Sequence, residues 1–420
     1  MTQDLPITAV IGELIAALKR SKRAVLCAPP GAGKTTNVPL AILKHLDPRG
    51  KIIMLEPRRL AARAAAERMA ETLGENLGAT VGYRIRGDAK TSPSTKIEVV
   101  TEGILTRMTQ NDPELPGIDT IIFDEFHERS LNADLGLALA LEIADALRDD
   151  LRILVMSATL DADPIAALLG DAPIIVSQGR SFPVTPHWLP RPLDRSLSFE
   201  QAMTDLILSA MATESGGVLA FCPGEAEIKR IMARLATQVG PEVKIFPLYG
   251  AMDFALQCQA IQPMGSGRKV VLATSIAETS LTIQDISIVV DGGLARRAKF
   301  DSATGMSRLI TEKVSRAEAT QRMGRAGRVR AGHCFKLWSK AEEGTLPAFA
   351  PPEIDTSDLT GLALELAQWG SPPEAMAFLT QPNPALMAEA QQVLRMLGAL
   401  SPKGQITKHG KELARAPVHP

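Results

Sequence analysis

Short apolar runs recur along the chain, each followed by a stretch of helical period. "RAVLCA", "KIIML", "KIEVV", "IDTIIFDE" and "LRILVMS" read as buried strands, because both faces of each are apolar and the runs are too short for buried helices. Strands alternating with helices predict a parallel sheet covered on both faces. The pattern breaks at about 177–198, where "SQGRSFPVTPHWLPRPLDRSLS" is rich in Pro, Arg and Ser. It resumes with "GGVLAFC", "VKIFPLY", "RKVVLAT" and "ISIVVDGG". Two similar α/β units joined by a Pro-rich connector are therefore expected. From about 345 the strands stop and a mostly helical segment with Pro-Pro and Pro-Asn-Pro breaks runs to 420. Its last residues, "APVHP", offer no helix stop, so the chain is expected to be cut inside a domain. At the other end Leu5, Val10, Ile11, Leu14, Ile15 and Leu18 recur at helical spacing, which predicts an amphipathic helix packed on a core rather than a signal peptide.

Composition narrows the class. A 420-residue chain with 45% hydrophobic and 22% charged residues has room for two or three ordinary globular domains. A net charge of −1 excludes a wholly basic nucleic-acid coat, so contact with RNA or DNA must come from local arginines. Cys27, Cys222, Cys258 and Cys334 form no C-x-x-C pair, which argues against a disulfide framework or a zinc site and for a reduced, cytoplasmic setting. No window reaches the roughly 20 continuous apolar residues of a bilayer span, so no membrane association is expected.

Three segments carry candidate chemistry. "APPGAGKTT" (28–36) lies between a strand and a helix, where glycines let successive backbone N–H groups wrap phosphates at a helix N-terminus. Gly31 and Gly33 permit the close approach, Lys34 would bridge the phosphates, and Thr35 would sit on Mg²⁺. Ala28 stands where the strict motif has glycine, and a plain glycine-rich turn is the bland alternative. "IIFDEFHERS" (121–130) puts Asp124 and Glu125 at the carboxyl end of a strand, where open α/β sheets bind ligands. Asp124 could hold the Mg²⁺ shell and Glu125 could deprotonate an attacking water, although such a pair alone is more often a solvated helix start. "QRMGRAGRVRAG" (321–332) carries Arg325 and Arg328 three residues apart, as on one helical face. They are candidate fingers for γ-phosphate charge, if not merely a solvated basic face. Lying in the second α/β unit, they could reach a nucleotide only across a cleft, which would couple nucleotide state to domain position.

Together APPGAGKTT, EPRR, TEG, DEFH, SAT, ATSIAETSLTI and QRMGRAGR resemble the motif set of the DEAH-box helicases of superfamily 2, most of all the bacterial HrpB type, in order and spacing along nearly the whole chain. The resemblance implies an α/β chain of two tandem RecA-like parallel-sheet lobes (1–176 and 177–344) followed by a partial winged-helix/helical segment (345–420). It implies triphosphate binding by Gly31, Ala32, Gly33, Lys34, Thr35 and Thr36, with His127, Glu278 and Thr279 also at the nucleotide. Metal binding falls to Thr35, Asp124 and Glu125, and catalysis to Glu125, Asp124, Gln321, Arg325 and Arg328. Arg58, Arg59, Thr101, Gly103 and Thr274 would hold the nucleic-acid backbone, and Ser157 and Thr159 would link hydrolysis to movement. "ARRAKFDSATGMSRLITEK" (295–313) matches the family's strand-separating hairpin. Three departures stand out: Phe126 replaces the namesake alanine, Ser275 stands where many relatives have Asn, and "QCQAIQPM" (257–264) lacks a base-stacking aromatic. The expected function is ATP-dependent RNA unwinding with Mg²⁺, 3′→5′ on single-stranded RNA or possibly DNA, with other NTPs accepted and protein partners undetermined. A nucleotide-gated RNA clamp is the alternative, and a small-molecule kinase would have no use for the last two motifs.

Overall fold

A computed structural model describes residues 5–158, 162–179, 182–194, 196–278, 283–301 and 304–415. Contacts divide the chain into one unit of residues 1–179, 298–308 and 351–420, and a second of residues 180–297 and 309–350.

In the first unit the strands are β1 (Arg23–Cys27), β2 (Lys51–Leu55), β3 (Val81–Ile85), β4 (Asp88–Lys90), β5 (Ile97–Val100), β6 (Ile118–Phe123), β7 (Arg152–Ser157) and β8 (Ile174–Val176). They order as β4-β3-β5-β2-β6-β7-β1-β8, parallel throughout except for the β3–β4 pair. Helix α1 (Ile11–Ser21) precedes them, and α2 (Lys34–Leu46), α3 (Arg59–Leu73), α4 (Glu102–Asn111), α5 (Leu131–Ala146) and α6 (Asp163–Leu168) lie between them. Alternate strand residues feed two cores. Leu26, Ile52, Met54 and Leu154 meet α1–α3, whereas Val25, Ile53, Ile121 and Val155 meet the α5 and α6 side. The expected two-sided burial is thus explained by strands that present apolar groups to both faces. Leu14, Ile15 and Leu18 of the N-terminal pattern are buried in the first of these cores.

The second unit contains β9 (Val184–Leu189), β10 (Gly217–Phe221), β11 (Val243–Leu248), β12 (Arg268–Ala273), β13 (Ile286–Asp291), β14 (Leu294–Asp301), β15 (Met306–Lys313) and β16 (Gly332–Ser339). Only the flanking parts of the β14–β15 pair fall within it; residues 298–308 group with the first unit. Six strands form a parallel sheet, β11-β12-β10-β13-β16-β9. Its helices are α7 (Phe199–Thr213), α8 (Glu225–Ala236), α9 (Phe254–Ile261), α10 (Arg316–Gly324) and α11 (Lys340–Glu343). The Pro-rich stretch expected as a connector contains β9. Pro186 of β9 and Pro247 of β11 lie on the two edge strands of the sheet, where a missing N–H need not break a ladder.

The last part of the first unit is helical, as expected: α12 (Glu353–Thr356), α13 (Thr360–Trp369), α14 (Pro384–Met396) and α15 (Lys408–Arg415), with one antiparallel bridge between Leu400 and Ile406. It packs on α5. Leu137, Ala140 and Leu141 of α5 face the sheet, while Leu135, Ala138 and Leu139 face Leu362, Leu366 and Leu394 of the helical segment. The run "LALALEIADA" has leucines and alanines on both faces of the helix because it is buried from both sides.

Candidate nucleotide and nucleic-acid sites

In the first unit the parallel strands release their loops at one edge of the sheet. The loop after β1 has Gly31 and Gly33 at φ of 86° and 89°, conformations that L side chains rarely adopt. A Cβ on Gly33 would also lie 2.8 Å from Leu5 Cδ1, and the Ile7 N–H donates to the Ala32 carbonyl at 3.2 Å. The N-terminal segment thus braces the loop from behind. Ala28, at the position that departs from the strict motif, is buried and its N–H donates to the Ser157 carbonyl at 3.0 Å.

Lys34, the first residue of α2, is buried against the carboxylates that end β6. Its Nζ lies 3.1 Å from Glu125 Oε2 and 3.5 Å from Asp124 Oδ1. Burial pulls the ammonium pKa down, but Glu125 and then Asp124 outweigh it and leave it raised. Thr35 Oγ1 donates to Asp124 Oδ2 at 2.6 Å, and the Glu125 N–H donates to Asp124 Oδ1 at 2.8 Å. Burial raises the Asp124 carboxyl, with Lys34 opposing and Glu125 adding to the rise. Glu125 itself sits at φ 50°, ψ 32°, a left-handed conformation uncommon outside glycine and concentrated at functional turns. His127 Nδ1 accepts from the Ala158 N–H at 3.2 Å and lies 3.5 Å from Glu125 Oε2, tying the β6 and β7 loops together. Burial lowers the His127 pKa, keeping the imidazole neutral. Phe126 packs edge-on to Phe123 at 6.2 Å in the core beneath, so the departure from alanine fills apolar space and leaves the carboxylates in place.

A hydroxyl and a carboxylate sharing a hydrogen bond, with a second carboxylate adjacent, form the hard oxygen set that suits Mg²⁺. Lys34, Asp124 and Glu125 also carry one negative charge in excess when both carboxylates are ionised. The residues present therefore fit a magnesium–triphosphate group. Thr36 follows in the first turn of α2. Glu56 opens the EPRR motif without a role of its own in the sequence reading, yet it is fully buried and is one of the carboxylates acting on Lys34. Only its place at the end of β2 could have hinted at this.

Of the residues expected at nucleic acid, Arg58, Arg59, Thr101 and Gly103 lie around this edge. Arg58 pairs with Glu128 at 3.2 Å, and Arg59 begins α3. Thr101 precedes α4 and Gly103 sits exposed in its first turn. Between them Glu102 accepts from Ser130 Oγ at 2.6 Å, which joins α4 to the start of α5. Ser157 ends β7 in a buried position. Thr159 and Thr279 lie outside the described residues.

In the second unit the two motifs after β12 and within α10 meet. Thr274 follows β12, with its N–H donating to the Leu248 carbonyl at 3.1 Å. The helix carrying Gln321 stops at Gly324, so Arg325 and Arg328 do not project from a helical face as the sequence suggested. Arg325 is the C-cap and turns inward: it is 4% exposed, and its Nε donates to the Glu278 carbonyl at 2.8 Å. Arg328 lies beyond the helix and stays partly exposed. The sequence reading missed Arg322. Its guanidinium is 1% exposed, 2.9 Å from Asp291 Oδ1 and 3.6 Å from Glu278 Oε2, and lies over the Phe221 ring at 5.0 Å.

Residues 8–168 match the DEAD/DEAH box helicase family and residues 200–330 the helicase conserved C-terminal domain. The chain is similar to the ATP-dependent RNA helicase HrpB of Escherichia coli, 50% identical over 98% of this chain and 51% of that one. It is also similar to the probable ATP-dependent RNA helicase DHR2 of Saccharomyces cerevisiae, 34% identical over 100% of this chain and 59% of that one. The crystal structure of E. coli DEAH/RHA helicase HrpB superposes with a TM-score of 0.93 at 49% identity, over 98% of this chain and 52% of that chain. The chain thus spans about half the length of these relatives.

Proposed function

Because the chain belongs to the DEAD/DEAH box helicases, with two RecA-like lobes, we propose that it hydrolyses ATP with Mg²⁺ to move along single-stranded RNA and separate duplexes. The observation that carries this reading is the buried Lys34–Asp124–Glu125 cluster beside a loop with two left-handed glycines. In the proposed mechanism the loop N–H groups and Lys34 bind the triphosphate. Thr35 and Asp124 would hold the magnesium ion, which supplies electrostatic stabilisation of the phosphates when bound. Glu125, set apart by its left-handed backbone, orients the attacking water and takes its proton. His127, held neutral by its buried position, fixes the Glu125 side of the site. Arg328 would add positive charge to the transferring group, and Gln321 a neutral amide donor.

Contacts at Arg58, Arg59, Thr101, Gly103 and Thr274 would be to the nucleic-acid backbone, so binding is read as sequence-tolerant and salt-dependent. Travel 3′→5′, acceptance of other NTPs and of single-stranded DNA, and a cytoplasmic setting belong to the same proposal. The four free cysteines support the last. The test is hydrolysis and duplex separation measured together on 3′-tailed and 5′-tailed RNA duplexes, with Lys34→Ala as the control. Lys34→Ala should abolish both activities. RNA-stimulated hydrolysis without strand separation on either substrate would favour a clamp over a helicase.

A further inference from the structure

Apart from the nucleotide cluster, one group of side chains in the second unit has the chemistry of a ligand site. His187 of β9, His333 of β16 and Glu214 at the end of α7 bring one potential ligand atom each to within 4.8 Å of the others. Among the described residues this is the one such group that includes histidines. The strand register places it: Phe335 lies opposite His187 and His333 opposite Thr185, so His187, His333 and Phe335 share one face of the sheet. The His187 ring stacks on Phe335 at 4.4 Å and 11°, which fixes its plane.

His187 Nε2 and His333 Nδ1 are 3.1 Å apart, and the far nitrogen of His333 lies 3.2 Å from Glu214 Oε2. The carboxylate selects the tautomer in which Nε2 of His333 carries the proton and donates to it. The lone pair on Nδ1 then faces His187, and a single proton joins the two rings. Two nitrogens bound tetrahedrally to one zinc at 2.0–2.1 Å would be about 3.3 Å apart, close to the spacing observed. A carboxylate holding the second nitrogen of a ligating histidine is the usual support of such sites.

We propose that His187 and His333, oriented by Glu214, bind a divalent transition-metal cation, with Zn²⁺ the occupant best matched by paired imidazoles. Binding changes the His187 tautomer: the Nε2–H bond breaks and an Nδ1–H bond forms by exchange with solvent, so both rings stay neutral while two N–metal bonds form and no net proton is released. Water completes the coordination. His187 is suited to this, since burial and then the neighbouring His333 lower its pKa and keep the imidazole available as a neutral ligand. The consequence is structural. β9 is an edge strand, and the metal would clamp it to β16 and to the end of α7, stabilising the second unit by mass action.

The test is calorimetric titration of the full chain with ZnCl₂, in millimolar Mg²⁺ to occupy the hard oxygen site, in two buffers of different ionisation enthalpy. The expected result at pH 7.5 is one Zn²⁺ per chain with the same binding enthalpy in both buffers, the mark of no net proton release by neutral imidazoles, and, in a Trp369→Phe background, a higher melting temperature for the transition reported by Trp188 and Trp338. His187→Gln or His333→Gln should weaken binding more than about 100-fold, and Glu214→Gln about 10–100-fold. Should a histidine variant fail to fold by circular dichroism, Glu214→Gln at the helix end still decides. No saturable 1:1 binding by the wild type, or unchanged affinity in Glu214→Gln and the folded histidine variants, would overturn the proposal.

Discussion

Replacing Arg322 by Ala tests whether the second unit is built around a buried ion cluster. Arg322 faces Asp291, which is fully buried, at 2.9 Å, and Glu278, which is 4% exposed, at 3.6 Å. It also donates to the Leu294 carbonyl at 3.2 Å. Burial pulls the guanidinium pKa down, but Asp291 and Glu278 outweigh it and hold it raised, so the side chain stays charged. Removing it takes from the buried Asp291 its ion-pair partner and from Glu278 the Arg322 charge, a loss of about 3–5 kcal/mol. At about 2–4 °C per kcal/mol for a unit of 150–250 residues, the transition should fall by roughly 6–20 °C. Two units need not unfold together, so the assay must report on the second one, and Trp188 and Trp338 both lie within it. Their fluorescence, followed during heating and urea unfolding in a Trp369→Phe background that removes the one tryptophan of the first unit, isolates that transition. Arg322→Met combined with Asp291→Asn should recover more than half of the loss, because most of the penalty is the stranded charge and not the missing contact. A single-variant loss below about 1 kcal/mol, or no recovery in the double variant, would refute the buried-cluster reasoning.

The remaining expectations concern chemistry and pH. Glu125→Gln should retain ATP binding while hydrolysis falls by about 10²–10⁴-fold, checked by equilibrium binding and phosphate release; loss of binding itself would contradict the role given to Glu125. Arg328→Ala should lower RNA-stimulated turnover by roughly 10³-fold or more with an unchanged melting temperature, whereas a parallel loss of stability would make it a brace like Arg322. Glu102 is an acid raised from 4.5 to about 7, first by burial and then, against the Ser130 hydrogen bond, by Glu128 and Glu353. The native state therefore holds this proton longer than the unfolded chain. Its contribution makes stability fall as pH rises from 4.5 to 7, by at most about 3 kcal/mol, and then level off. Glu102→Gln should be stabilised relative to wild type at pH 8 and little changed at pH 4.5, and parallel melting-temperature profiles across that range would count against the assignment.

Much of the architecture was legible because it is local. β1, β2, β5, β6 and β7, and then β10 to β13, are short runs apolar on both faces, and such runs between helical stretches have few other solutions. The phosphate loop was legible for the same reason: glycines at positive φ, a lysine opening a helix and a carboxylate pair ending a strand are each written in a few consecutive residues. β9 was not, since "VTPHWL" contains a proline and becomes a strand only by pairing with β16 at the sheet edge, 148 positions away at Gly332↔Val184. Nor could a local pattern show that α5 would be covered on both sides, or that Arg325 would turn in to the Glu278 carbonyl. Arg322 and Glu56 look like ordinary surface charges until the fold surrounds them with apolar groups and opposite charge. His187, His333 and Glu214 are isolated in sequence and meet only through strand register and the end of a helix. Periodicity and backbone conformation are determined over a few residues, so the chain itself specifies them. Burial and electrostatic partnership depend on which distant segments arrive, and that is decided only by the folded packing.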